Sequence, residues 1–140
     1  MKVTVHSGED TAASAVVDTI KAVRPERIGH GTHVIDDPKA IELVMGSGVT
    51  LEMNPWSNYL TNSVKRIEEH PMKRLFDLGV KVTINSDDPE VLDTNLNNEY
   101  RIAHELLGMS LKEIARCNRY ALEASFVPEG ERRAVQEMFK

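Results

Sequence analysis

The sequence predicts an α/β fold of parallel strands joined by crossover helices, with the pattern of one half of a (β/α)₈ barrel, followed by a helical tail. Three observations predict it. Over residues 1–92, short β-branched runs alternate with stretches whose apolar residues recur at helical spacing, and such alternation implies parallel strands with right-handed crossovers. Each strand runs out into polar chemistry: His6 with Glu9, His30, Asn54 to Asn58, and Asp87 with Asp88. A barrel gathers such positions on one face. The chain has 140 residues, against about 250 for a complete barrel. An open four-stranded sheet is the competing architecture, although it concentrates ligand groups at one switch point.

Taken in order, Lys2 to His6 alternates Val3 and Val5 with polar residues and predicts the first strand. Ser7-Gly8 turns the chain into a helix over Asp10 to Val23, with Asp10 as N-cap and Ala13, Val16, Val17, Ile20 and Val23 on the buried stripe. Arg27 to Gly29 is a short strand closed by His30. Asp37-Pro38 has the form of an N-cap and first turn, and Ile41, Leu43, Val44 and Met45 carry that helix to Gly46 and Gly48. Val49 to Met53 is the third strand, running into a polar loop over Asn54 to Asn58. A helix over Pro71 to Leu78 stops at Gly79, and Val80 to Ile84 is the fourth strand. The tail, residues 93–140, holds a helix reaching from Leu92 to Leu107, a second opened by the capping box Ser110-x-x-Glu113, and a third started by Pro128 with Glu129 and Glu131. No linker or low-complexity tract divides the chain, so residues 1–140 read as one domain.

Composition narrows the function classes. The net charge is −5, with Lys and Arg dispersed among acids, which argues against a nucleic-acid partner. No apolar run approaches the roughly 18 residues of a membrane span, and Met1 to Asp10 lacks the apolar core of a signal peptide. The expected location is therefore the cytoplasm, with no membrane partner. Cys117 is the only cysteine. A cysteine-based zinc cluster and the cysteine-ligated base-editing deaminases are thereby excluded, and any metal must rest on His, Asp and Glu.

Histidine and carboxylate at the ends of parallel strands suit a hydrolytic metal site, because they offer nitrogen and oxygen ligands while leaving a position for water. Singly each is ordinary: a strand-end His is commonly just hydrogen-bonded, and Asp-Asp-Pro commonly caps a helix. Four blocks in order say more. His6-Ser7-Gly8-Glu9, Arg27-Ile28-Gly29-His30-Gly31, Asn54-Pro55-Trp56-Ser57-Asn58 and Asn85-Ser86-Asp87-Asp88-Pro89 together resemble the adenosine deaminase family, and the likeness continues to Phe126-Val127-Pro128. The resemblance implies the last four strands of a (β/α)₈ barrel and a zinc-dependent hydrolysis of adenosine, or a related adenine-containing compound, to inosine and ammonia. It implies that His6 and Asp87 are zinc ligands, that Glu9 is the proton shuttle, that His30 orients and helps activate the water, and that Asp88 binds the purine. One Zn²⁺ per complete site is expected, with other divalent ions acceptable to such donors. Attack on an aromatic carbon needs the adjacent ring nitrogen protonated, hence an acid that keeps its proton near neutrality. Burial would supply this for Glu9.

Other polar residues carry plainer expectations. His33 belongs to the surface, His70 to the start of a helix and His104 to the tail's structure. Trp56 and Tyr59 either line a pocket or pack a loop, and Ser57 with Asn58 holds that loop near the metal. The family draws two further ligands from a His-x-His pair on its first strand, and no His-x-His occurs in these residues. The expected partners are therefore a purine nucleoside substrate and either the N-terminal half-barrel or a second copy of this chain. A non-catalytic half-barrel that self-associates or complements another chain is the alternative.

Overall fold

In the computed structural model, residues 1–138 are described; the last two residues of the expected tail lie outside them. The alternation read from the sequence takes shape as β1 (Thr4–Ser7), α1 (Ala13–Val23), β2 (Arg27–His30), α2 (Pro38–Ser47), β3 (Thr50–Met53), α3 (Pro55–Leu60), α4 (Met72–Asp77) and β4 (Val82–Ile84). The strands are all parallel and lie in the order β1-β2-β3-β4. Sequence neighbours are thus spatial neighbours throughout, as in a barrel segment; there is no reversal of strand order of the kind a doubly wound sheet uses. The tail comprises α5 (Leu96–Arg101), a π-helical turn over Ile102–Leu106, α6 (Leu111–Ala124) and α7 (Glu129–Glu137).

Register divides the sheet into two faces, because residues paired across parallel strands point the same way. Ile28, Leu51 and Val82 share one face, and it is here that the core forms, with Val16 of α1, Val44 of α2 and Met72 and Leu75 of α4 all buried. Burying each such side chain contributes about 1.5–3 kcal/mol. The opposite face carries His6, paired with Gly29, and Glu52, paired with Gly29 and Thr83. Near the start of the strands on that face, Glu52 accepts a hydrogen bond from Thr4 (2.7 Å) and pairs with Arg27 (3.0 Å), while Phe126 of the tail stacks under the Arg27 guanidinium at 3.9 Å. Of the strand-end residues His6 lies on this polar face, while His30, in register with Ser7, has the parity of Ile28 and is buried.

Several expectations are corrected. Asp10 does not cap α1: Gly8, at φ 73°, donates its N–H to Thr11 Oγ1, which keeps residues 8–11 in a turn, and the helix starts after Ala12. Val23 and Met45 are exposed and leave the stripes to Ala13, Val16 and Ile20 and to Ala40 and Val44. Asn54 to Asn58 is not a loop; Pro55 sets the first turn of α3, so the polar residues are carried on a helix. Leu92 to Asn95 is a turn, closed on the Asp88 and Pro89 carbonyls, and Asn95 accepts from the Asn98 N–H to start α5 four residues late. Elsewhere the expected signals act as read: Asp37 accepts from the Lys39 N–H at the head of α2, and Ser110 and Glu113 form a reciprocal capping box on α6.

Candidate active site

Three of the predicted residues meet at the ends of β1 and β2. One ligand atom from each of His6, Glu9 and His30 lies within 4.8 Å of the others. The reason is local. Gly29, opposite His6 across the strand pair, leaves room for the imidazole to lie against its backbone; a Cβ there would stand 2.7 Å from His6 Cδ2. The His6 and His30 rings then meet edge to face, with centroids 4.9 Å apart. The turn after β1 brings Glu9 back, its carbonyl accepting from Ser63 Oγ at 2.5 Å and its carboxylate 3.4 Å from His30 Nε2.

Asp87 arrives from the end of β4, tied to β3 by the Asn85 N–H donating to the Met53 carbonyl. Its Oδ2 lies 3.7 Å from His30 Nε2 and accepts from Ser57 Oγ at 2.6 Å. Both His30 (φ 67°), the last residue of β2, and Asp87 (φ 56°), three residues past β4, sit in the left-handed region. Non-glycine residues pay for that conformation in strain, which native structures retain chiefly where side-chain direction matters. Asp88 is exposed, and among the described residues its side chain makes no hydrogen bond or ion pair with the other four.

His30 is 1% exposed. Burial holds its imidazole below the ordinary range, with the Glu9 and Asp87 carboxylates pulling the other way. Its Nδ1 faces two amides, Asn58 Nδ2 at 2.9 Å and Asn54 Nδ2 at 3.2 Å. Ser57 and Asn58 thus reach the site from α3, as expected of them. Trp56 packs against the core, its indole N–H donating to the Leu92 carbonyl, and stacks at a tilt on the exposed Tyr59.

Two residues of this region were not foreseen. Glu99 is fully buried and accepts from the Trp56 N–H (3.1 Å) and Thr94 Oγ1 (2.9 Å), fixing the first turn of α3; burial raises its carboxyl above the ordinary value. Nothing in its sequence setting distinguishes it from a surface helix acid. His70 does not open α4, which starts at Met72; it is buried behind the site, its Nε2 3.0 Å from Asn58 Oδ1. His33 and His104 behave as expected, the first paired with Asp36 at the surface, the second donating from Nδ1 to the Met109 carbonyl across the π-helical turn.

The donor set fits a divalent ion: imidazole nitrogen and carboxylate oxygen are the ligands zinc accepts. The compact group comprises His6, Glu9 and His30; Asp87, held by Ser57, stands beside it.

The chain is similar to known proteins. The adenosine deaminase family profile matches residues 1–140. An adenine deaminase of Sinorhizobium medicae is 44% identical over 126 residues, covering 90% of this chain and 39% of its own length. An aminodeoxyfutalosine deaminase of Streptomyces avermitilis is 43% identical over 122 residues, covering 87% and 34%. The crystal structure of an adenine deaminase from Arthrobacter aurescens superposes with a TM-score of 0.93 at 23% identity, over 99% of this chain and 42% of that one, a likeness of fold. The chain spans about two-fifths of the length of the first of these relatives.

Proposed function

The chain belongs to the adenosine deaminase family, and from that premise we propose that it carries the acid and part of the metal site of an enzyme that hydrolyses adenosine, or a related adenine-containing compound, to the 6-oxo purine and ammonia. The observation that carries this reading is the convergence of His6, Glu9 and His30 within 4.8 Å at the C-terminal ends of adjacent parallel strands, with Asp87 at 3.7 Å from His30.

In this reading His6 and Asp87 would hold a zinc ion, with further ligands supplied from outside these residues. When bound, the ion supplies the Lewis acidity that makes water nucleophilic near neutral pH. Ser57 aims the Asp87 carboxylate by donating to Oδ2. Glu9 would deliver its proton to the purine ring nitrogen next to the carbon under attack, take one back from the oxygen of the attacking water, and pass that one to the departing amine, which leaves as ammonia. His30, neutral and buried, presents Nε2 to the same space and orients the attacking water. Asp88, free at the rim, accepts a hydrogen bond from the purine. A cytoplasmic location belongs to the same proposal, supported by the role in purine metabolism; no helix among the described residues is long and apolar enough to cross a membrane.

The test is complementation. The chain is mixed with a polypeptide carrying the His-x-His strand, zinc is added, and ammonia release is followed with adenosine and with adenine as separate substrates. Zinc-dependent release is expected. An assembled, zinc-loaded complex inert on both substrates would favour the non-catalytic half-barrel.

A further inference from the structure

We propose that His70 is a positioning residue which, acting through Asn58, fixes His30 in the tautomer that carries its proton on Nε2, toward Glu9 and Asp87. The argument rests on groups whose hydrogen-bonding sense is not adjustable. A backbone N–H can only donate, and the Met72 N–H points at His70 Nδ1 at 3.3 Å. That nitrogen is therefore the acceptor, and the ring's proton sits on Nε2, donating to Asn58 Oδ1 at 3.0 Å. Thr32 Oγ1 donates to the same oxygen at 3.1 Å. With its oxygen so occupied, Asn58 must turn its NH₂ to His30 Nδ1, at 2.9 Å.

A second chain of bonds reaches the same nitrogen with the same sense. A carbonyl can only accept, and the Glu52 carbonyl takes a bond from Asn54 Nδ2 at 3.0 Å, identifying that atom as the amide nitrogen. Asn54 Nδ2 also lies 3.2 Å from His30 Nδ1. Two donors converging on Nδ1 leave it unprotonated, so the proton of a neutral His30 is on Nε2, 3.4 Å from Glu9 and 3.7 Å from Asp87. His70, Asn58 and His30 are all buried, so water does not compete for these bonds. Burial and the neighbouring His30 also push the His70 imidazole down to about 3, so that it stays neutral and keeps one fixed polarity.

The chemical consequence rests on the deaminase reading: a His30 locked with its proton outward donates to the water or its oxygen and does not take a proton from it, which leaves proton transfer to Glu9. The placement of the proton does not rest on that reading, and it is measured without metal or substrate. The experiment is a long-range ¹H–¹⁵N correlation spectrum of the full chain labelled with ¹⁵N-histidine, near pH 7. His70 and His30 are both expected as neutral Nε2–H tautomers. In His70→Gln, whose amide can still donate to Asn58 Oδ1, the His30 pattern is expected to persist. In His70→Leu, where Asn58 loses the donor that holds its oxygen away from His30 and only Asn54 still has a fixed sense, it is expected to broaden toward a mixture of tautomers. In Asn58→Asp, a carboxylate facing His30 is expected to draw a proton onto Nδ1, moving that resonance from the unprotonated to the protonated position. A wild-type His30 or His70 protonated on Nδ1, a folded His70→Leu chain with the His30 pattern unchanged, or a folded Asn58→Asp chain with the His30 pattern unchanged, would overturn the proposal. If His70→Leu fails to fold, the wild-type, His70→Gln and Asn58→Asp spectra still decide. Loss of the deaminase reading would show instead as an inert assembled complex with these spectra as expected.

Discussion

Gly29→Ala would put a methyl group 2.7 Å from His6 Cδ2, and the exposed imidazole, being free to move, would turn away. We expect zinc affinity of the complemented protein to fall by about 10- to 100-fold, the usual effect of disturbing a ligand's support, with the unfolding midpoint little changed; chelator competition and thermal unfolding check the two halves. Gly31 is different. It has φ 66°, and a Cβ would meet Leu51 Cδ2 at 2.9 Å, so Gly31→Ala is expected to destabilise the chain by about 1–2 kcal/mol from backbone strain alone, read by denaturant unfolding. At this scale the meeting of His6, Glu9, His30 and Asp87 was legible from four motif blocks in order at the ends of strands, not from any one strand end alone. His70 was not: its neighbour Pro71 signals the start of a helix, which forms from Met72 onward, but what the ring does depends on Asn58, which only the tertiary fold brings within 3.0 Å.

Helix α3 is held from a distance. Its first free N–H groups include that of Trp56, which Glu99 satisfies from a buried position on α5, and α3 in turn carries Ser57 to Asp87 and Asn58 to His30. Removing the carboxylate leaves the Trp56 N–H without its partner and the Thr94 hydroxyl without its acceptor, so Glu99→Ala is expected to cost about 1–3 kcal/mol. Glu99→Gln, which keeps an acceptor oxygen, is expected to recover much of it. By contrast Ser110→Ala, which opens the capping box of α6 away from the site, is expected to cost about 1 kcal/mol and leave the His30 spectrum untouched. Elements with a strong local signal, such as the Asp37-Pro38 start of α2 and the capping box, form where the sequence indicates. Those that moved did so where a turn competed: the Gly8–Thr11 turn shortens α1, and the Asp88 and Pro89 carbonyls hold Leu92 to Thr94 out of α5.

Over the whole molecule, the parallel strands and their crossover helices were legible from alternation, while the register and the depth of the polar network behind the site were not. That network makes stability depend on pH. His70 titrates at about 3 when folded against 6.5 when free. Between those values the unfolded chain binds a proton that the folded chain refuses, so its contribution is complete above about 6.5 and is lost as pH falls toward 3, at about 1.4 kcal/mol per unit. Glu99 acts in the opposite sense, its raised carboxyl costing stability as pH climbs through and above 4.5. The unfolding midpoint is expected to drop between about pH 6.5 and pH 5, and the drop to flatten in His70→Gln, which has nothing to titrate there.

The strand ends of this chain, taken together, are held to be the acid-bearing side of a purine deaminase site. The most direct test compares the wild-type chain with Glu9→Gln in the zinc-loaded, complemented protein, measuring bound zinc and ammonia release on the same samples. Equal zinc with a rate lower by about 10²- to 10⁴-fold, the range for loss of a general acid–base group, is the expected result; a Glu9→Gln protein that binds zinc and turns over at close to the wild-type rate would contradict it.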